Sequence, residues 1–242
     1  MSKRHRLHQL LQEPRIWKAG QGAGPHQTVS TGFPDLDRAL SGGWPTGVLT
    51  ELLVDLCGIG ELQLLLPALK AFHGRPIGSK VNPPLGAKKW IIWVAPPYMP
   101  YAPALVRAGV DISRLIVAHC DRQNDVLWAM EQALRSGACA AALAWSEGSD
   151  PRALRRLQLA VEKGLCWGVL LRPARFKKQR SPAALRIHLL AVSLSEISMD
   201  IFKNYKSRPQ KIVVGIDGKL QSPARPFGEW AGKQKSRFDA DF

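Results

Sequence analysis

Acidic residues, cysteines and long apolar runs are all scarce in this 242-residue sequence. The cysteines stand singly in or beside apolar stretches, without the paired spacing of a zinc site. We therefore expect reduced thiols in a cytosolic protein, and no metal site. The residues concerned are Cys57, Cys120, Cys139 and Cys166. The basic N-terminal stretch contains a single Leu-Leu pair, so we expect no signal peptide and no membrane span.

The shortage of acids leaves a strongly basic chain. There are 34 Lys and Arg residues against 19 Asp and Glu, which gives a formal net charge of +15. Such an excess predicts attraction to nucleic acid or to acidic partners. The alternative is a basic but unspecialised surface. The 45% of apolar residues indicates that most of the chain folds into a core.

Strand and helix patterns alternate from residue 48 to residue 192. Val48–Val54 is an apolar run of strand length, Asp55–Gly60 is a short loop, and Glu61–Phe72 is a leucine-rich helix. Further on, Leu115–Ala118 has the pattern of a strand and Gln123–Arg135 that of a helix. The alternation predicts an α/β fold, with a mostly parallel sheet and helices on both faces.

The first strand, loop and helix have the layout of a phosphate-binding loop. In the working motif, G-x-x-x-x-G-K-[ST], the lysine neutralises phosphate and the hydroxyl holds Mg²⁺. Here Glu61 and Leu62 follow Gly60, so an anion and a hydrocarbon stand in those two places. We interpret Asp55, Gly58, Gly60, Glu61 and Leu62 as a vestigial loop. We expect no bound cofactor, no tight nucleotide binding and no ATP hydrolysis.

Two stretches around this loop resemble known families. STGFPDLDRALSGGWPTGVLTEL resembles the entrance to the RecA-like fold, and TELLVDLCGIGELQLLLPAL is similar to the degenerate loop of the ImuA family. The resemblance covers about residues 28 to 193. It implies an accessory role in SOS-induced, mutagenic translesion DNA synthesis after DNA damage. It also implies three partners: an ImuB-type polymerase-like protein, RecA and an error-prone DNA polymerase.

The same resemblance implies that this chain lacks two further carboxylates of RecA-like ATPases. RecA-like ATPases carry a catalytic glutamate just after the strand that matches Trp90–Ala95, where this chain has Pro96 and Pro97. They carry a metal-binding aspartate at the end of the strand that matches 138–145, where this chain has Trp145 and then Ser146. The nearby Glu147 is either an unusual ligand or a solvated loop residue.

We divide the chain into an extension and linker at 1–29, a RecA-like core at 30–199 and a basic, partly disordered segment at 200–242. The last segment carries spaced aromatic residues, which often anchor a partner protein. The candidates are Phe202, Tyr205, Phe227 and Trp230. The alternative is that this segment folds back on its own sheet.

The run RPARFKKQR at 172–180 contains no acid and only one aromatic residue. Cations for phosphate and an aromatic ring for base stacking predict non-specific binding of single-stranded DNA. The candidate residues are Arg172, Arg175, Phe176, Lys177, Lys178 and Arg180. The alternative is a solvated loop, as charge runs often are.

Three other functions compete with the accessory role. A SulA-type inhibitor of cell division shares the resemblance, although such proteins are typically shorter and less basic. An active recombinase-like ATPase is disfavoured, because residues that ATP hydrolysis needs are missing at three positions: after Gly60, after Ala95 and at Trp145. A plain single-strand-binding module is compatible with the basic run but is not required by it.

Overall fold

The computed structural model describes residues 27–73, 89–216 and 225–226. The strands are β1 Thr28–Val29, β2 Trp44–Pro45, β3 Leu49–Val54, β4 Leu56–Cys57, β5 Trp90–Val94, β6 Leu115–Ala118, β7 Cys139–Trp145, β8 Trp167–Pro173, β9 Leu185–Ser193, β10 Glu196–Asn204, β11 Gln210–Gly215 and β12 Arg225–Pro226. The α-helices are α1 Pro34–Ala39, α2 Glu61–His73, α3 Ala102–Arg107, α4 Gln123–Arg135 and α5 Pro151–Gly164. Short 3-10 helices span Ile112–Arg114 and Ala174–Lys178.

The centre of the fold is an eight-stranded sheet in the order β11-β10-β9-β3-β8-β7-β5-β6. The strands from β9 through β6 in this order are parallel, and β10 and β11 extend the sheet in antiparallel fashion. Parallel strands that pack on both faces are apolar throughout, as the fully buried β3, β7 and β8 are. The predicted mostly parallel sheet is confirmed.

Helices cover both faces of this sheet. On one face, buried leucines of α1 and α2 pack with residues such as Leu52 and Trp167. On the other, buried residues of α4 and α5 pack with Leu49 and Leu170. Successive side chains of a strand point to opposite faces, so β3 contributes to both layers. The predicted two-sided arrangement is confirmed.

The antiparallel end of the sheet changes the predicted division of the chain. The boundary placed between residues 199 and 200 falls inside β10, and the sheet continues through Gly215. Gln210 on β11 is tied to α1, because its side-chain amide donates to the carbonyl of Ala39 at 3.0 Å. Residues 200–215 are therefore part of the core. Residues 1–26, Phe227 and Trp230 lie outside the described residues.

The turn before β2 depends on a glycine. Gly43 has φ +107°, and a Cβ placed on it would lie 2.2 Å from the carbonyl oxygen of Val29. The backbone of β1 passes this close because β1 pairs with β2 through Val29 and Trp44. Any side chain at residue 43 would separate the two strands.

The cysteines are free thiols. Cys57, Cys139 and Cys166 are buried and Cys120 is half-buried. Burial raises the pKa of Cys166 to about 12, which keeps it protonated and unreactive. Within the described ranges, no cluster of His, Cys, Asp or Glu is suited to a metal ion. No helix in that part of the chain has the length and apolar character that crossing a membrane requires.

Candidate functional site

The vestigial loop leaves the carboxyl end of β3, a central strand flanked by β8 and β9. Ligands of α/β proteins usually bind at this edge of the sheet. Gly58 and Gly60 have φ of +88° and +102°, a conformation that L side chains rarely adopt. The chain then enters α2 at Glu61. The backbone therefore has the shape of an anion-binding loop at a helix N-terminus.

The carboxylate of Glu61 occupies this loop. The N–H of Gly58 donates to its two oxygens at 2.9 and 3.1 Å. The N–H groups of Ile59, Gly60 and Glu61 itself also act to lower the pKa of this carboxylate. The residue is only 3% exposed. Burial raises the pKa of Glu61, and the four N–H groups act in the opposite direction. Groups that would cradle a phosphate are thus bonded to the protein's own carboxylate.

The other predicted loop residues lie apart from this contact. Leu62 is half-buried and packs against the apolar core. The side chain of Asp55 is 58% exposed, and its Oδ2 lies 3.1 Å from Nε2 of His188 on β9. The structure therefore brings Gly58, Gly60 and Glu61 together but not the other two.

The two strand ends that would carry ATPase carboxylates are built differently. After β5, Ala95 has φ +50° and leads into Pro96 and Pro97. After β7, the hydroxyl of Ser146 is buried and donates to the carbonyl of Gly148 at 2.9 Å. Neither strand end carries a carboxylate at the matching position, because the residues there are Pro96 and Pro97 in the first case and Trp145 and Ser146 in the second.

Glu147 follows the second of these strand ends. Its N–H donates to the side-chain oxygen of Gln123 at 3.0 Å, and the residue is exposed. This position favours the interpretation as a solvated loop residue.

The prediction for Arg172, the first residue of the basic run, was wrong. Arg172 was predicted to contact DNA, but its side chain is fully buried. Its Nη1 lies 3.4 Å from Oε1 of Glu51, and its Nη2 donates to the carbonyl of Ser149 at 3.3 Å and to Gln179 Oε1 at 2.5 Å. A guanidinium held inside the sheet cannot reach a phosphate. Arg172 therefore leaves the candidate set.

Several other members of the run are engaged within the protein. The ring of Phe176 lies 4.5 Å from the Arg172 guanidinium and 5.0 Å from that of Arg175. These cation–π contacts occupy the ring that was expected to stack on a base. Lys177 is paired with Asp200 at 2.6 Å. The segment is thus fastened to the sheet rather than extended into solvent.

Lys178 and Arg180 have a different position. Both are exposed, and no described residue forms an ion pair or hydrogen bond with either side chain. Arg175 is also exposed, although its Nη2 donates to the carbonyl of Glu147 at 3.0 Å. The cationic surface of the segment therefore consists mainly of Lys178 and Arg180.

The two described partner-binding candidates are built into the sheet. Phe202 lies on β10, half-buried beneath the Arg186 guanidinium at 4.9 Å and the Lys177 ammonium at 5.4 Å. Tyr205 is also half-buried, and its N–H donates to the carbonyl of Ala184 at 3.1 Å. Burial raises the pKa of Tyr205 to about 12. Both residues fit the alternative of a segment that returns to its own sheet.

A buried charged network was missed from the sequence. Glu51 on β3 is fully buried and accepts from Arg186 Nε at 2.7 Å and from the Ser181 hydroxyl at 2.6 Å, besides its contact with Arg172. The available signal was an acid inside an apolar strand, together with arginines at the ends of two later strands. These residues fix the basic segment over the sheet.

No family model matches the chain. Protein ImuA of Caulobacter vibrioides is 31% identical over 152 residues, which cover 61% of this chain and 58% of the relative. Cell division inhibitor SulA of Photorhabdus laumondii is 30% identical over 104 residues, which cover 43% and 59%. SulA of Yersinia enterocolitica is 26% identical over 145 residues, which cover 59% and 79%. The chain therefore spans about three fifths of the length of the first two relatives.

The fold and the loop define an α/β protein whose anion-binding loop is filled by its own glutamate. The sequence similarities relate this chain to the ImuA and SulA proteins, and the resemblance inferred from the loop motif is confirmed at that level. The wider RecA-like resemblance stays a prediction.

Proposed function

We propose that the chain is a non-catalytic accessory protein of SOS-induced, mutagenic translesion DNA synthesis in the cytoplasm. It acts through contacts with an ImuB-type polymerase-like protein, RecA and an error-prone DNA polymerase. Similarity to ImuA over 61% of the chain supports this proposal. The observation that carries its non-catalytic part is the Glu61 carboxylate bound in the loop.

Charge and geometry support the proposed lack of nucleotide chemistry. A phosphate entering the loop would have to displace a buried carboxylate and then lie beside it. Losing charge-assisted hydrogen bonds costs about 1.5–3 kcal/mol before any repulsion is counted. Hydrolysis also needs a bridging metal ion. Equilibrium dialysis with ATP and Mg²⁺ tests this part, and micromolar binding that Gly60→Asp abolishes would overturn it.

The second candidate is inhibition of cell division, which is the role that the names of the SulA relatives state. The basic segment and the +15 charge favour the accessory role, because they suit acidic partners or DNA. A pull-down from DNA-damaged cells separates the two. Recovery of a polymerase or RecA, with lower damage-induced mutagenesis on deletion, supports the accessory role. Inhibition of division-ring polymerisation supports the other.

The aromatic anchors are tested by substitution rather than by truncation. Removing everything after Ser198 would delete residues 199–204, most of β10, and disrupt the core. Phe227→Ala with Trp230→Ala in the full chain is expected to weaken capture of the polymerase complex without lowering stability. Trp128→Ala, at a position on α4 that is 63% exposed, is the matched control. Unchanged capture by the double variant would remove these residues from the interface.

A further inference from the structure

One end of the central sheet is β11, and one edge of this strand pairs with no described strand. Its other edge pairs with β10, where the N–H of Ile216 donates to the carbonyl of Ser195 at 2.7 Å. Main-chain groups of successive strand residues point to opposite edges, so the even-numbered residues of β11 bond to β10. The N–H and C=O groups of Lys211, Val213 and Gly215 therefore lie along the open edge. Such an edge is a template for a further strand.

The face of the sheet beside the open edge is apolar and exposed. Val213 is 55% exposed and shares a row across the sheet with Ser198 and with Leu190, which is 40% exposed. Val192 follows on the same face of β9 and is 57% exposed. Among the described residues, the core that α4 and α5 form on this face includes nothing from β9, β10 or β11. Apolar side chains in this position indicate a surface that another chain covers.

The charges on this face select the strand that fits the open edge. Lys211 lies near one end of β11, and Glu196 lies beside the other end, where β10 aligns it with Gly215. Neither charged side chain has an ion-pair partner among the described residues. Of the described atoms, a Cβ on Gly215 would meet the carbonyl oxygen of Ser195 alone, at 4.0 Å, so a long side chain can pass over this residue. A strand that brings a valine to Val213 and a lysine to Gly215 would complement this surface, and β11 itself has that order when it runs antiparallel.

We propose that β11 pairs with β11 of a second copy of this chain, antiparallel about a two-fold axis at Val213. Val213 then lies opposite Val213 of the second copy, and Lys211 lies opposite Gly215, with the outward main-chain groups of each pair facing one another. Each Lys211 ammonium reaches over Gly215 to Glu196 of the other copy, two strand spacings of about 4.8 Å away. The pairing is isologous and joins the two sheets into one. It does not depend on the proposed function.

The register follows from the sequence of the strand. A register centred on Ile212 would place Pro209, which lacks an N–H, opposite Gly215. A register centred on Val214 would place Lys211 beyond the end of the other β11. Symmetry about Val213 leaves no outward main-chain group of the strand unpaired.

Sedimentation equilibrium of the full chain over a range of concentrations tests the pairing, and we expect a monomer–dimer equilibrium. Lys211→Glu or Glu196→Lys alone should weaken dimerisation about tenfold, because two exposed ion pairs become two like-charge pairs. A mixture of the two variants should dimerise again, because every contact between the unlike chains joins opposite charges. Lys163→Glu, at an exposed position on α5, is the matched control and should change nothing. A full chain that stays monomeric, or a mixture that dimerises no better than either variant alone, would overturn the proposal.

A disulfide locates the two-fold axis. Val213→Cys places two thiols opposite each other in a hydrogen-bonded pair, with Cα atoms about 5.5 Å apart, within the range that a disulfide spans. Mild oxidation should therefore give a covalent dimer. Val192→Cys is equally exposed but lies two strands from the open edge, and it should give no more than the wild type, whose own cysteines set the background. Equal cross-linking of the two variants, or none with Val213→Cys, would overturn the proposal.

Discussion

Arg186 on β9 donates from Nε to Oε2 of Glu51 on β3 at 2.7 Å, and both side chains are buried. Oε1 of the same carboxylate lies 3.4 Å from Arg172 on β8. One acid therefore joins three neighbouring strands in the middle of the sheet. Arg186 also donates to the carbonyls of Phe176 and Gln179, which fixes the basic segment above these strands.

Glu51→Gln is expected to lower the free energy of unfolding by about 3–5 kcal/mol, because it leaves two buried guanidinium groups without their counter-charge. Urea unfolding measures the change. Glu147→Gln removes the same charge at an exposed position, and we expect it to stay within about 0.5 kcal/mol of the wild type. A loss for Glu51→Gln no larger than that of the control would show that the network contributes little.

The stability of the protein should depend on pH through Glu61. Burial raises the pKa of Glu61 above its ordinary value of 4.5, so the folded protein holds the proton more tightly than the unfolded chain. The stabilisation that comes from this tighter proton binding is fully present below pH 4.5, and it is lost as the pH rises through the folded-state pKa. Glu61→Gln cannot titrate. The unfolding free energy of the wild type relative to this variant should therefore fall with rising pH. Urea titrations across that range check it, and a constant difference would contradict it.

Gly43→Ala should lower the free energy of unfolding by more than its positive φ alone would cost, because the new Cβ also clashes with a neighbouring strand. Gly43 and Gly137 both have positive φ, at +107° and +70°. A Cβ at residue 43 meets the Val29 carbonyl at 2.2 Å, whereas one at residue 137 meets nothing within 4 Å. We expect Gly137→Ala to cost about 1 kcal/mol and Gly43→Ala at least about twice that. Thermal unfolding compares them, and equal losses would mean that β1 moves aside freely.

Binding of single-stranded DNA, if it occurs through the basic segment, should depend on Lys178 and Arg180. Replacing both with alanine is expected to weaken binding and to reduce the slope of log affinity against log salt by about 1.4, since each phosphate contact contributes about 0.7. Fluorescence anisotropy at several salt concentrations measures this slope. Arg152→Ala with Arg155→Ala removes the same charge from exposed positions on α5. Equal losses from both pairs would indicate non-specific attraction to the whole surface.

Local patterns predicted the order and limits of many elements. β6 and α4 begin and end at the predicted residues, Leu115–Ala118 and Gln123–Arg135. Their limits are set by nearby signals, an apolar run for the strand and periodic apolar positions for the helix. The strand–loop–helix unit was likewise visible, because short spacings determine it.

Arg172 and Phe202 were predicted wrongly because their positions depend on residues that are far away in the sequence. Arg172 has the composition of a surface cation, and only the approach of Glu51, 121 positions earlier in the chain, makes it a buried one. Phe202 was grouped with a tail because its anchoring strand is β9, whose Arg186 covers its ring. Long-range pairing of this kind leaves no periodic signal in a single sequence.

The Glu61 carboxylate in its loop has a consequence for how the protein responds to the cell. A loop that binds a nucleotide gains stability by mass action, so its folded population follows the ligand concentration. Here the anion is covalently part of the chain, and its effective concentration at the loop never changes. The folded state should therefore be insensitive to the energy charge of the cell. We therefore expect that adding ATP and Mg²⁺ leaves the unfolding curve unchanged.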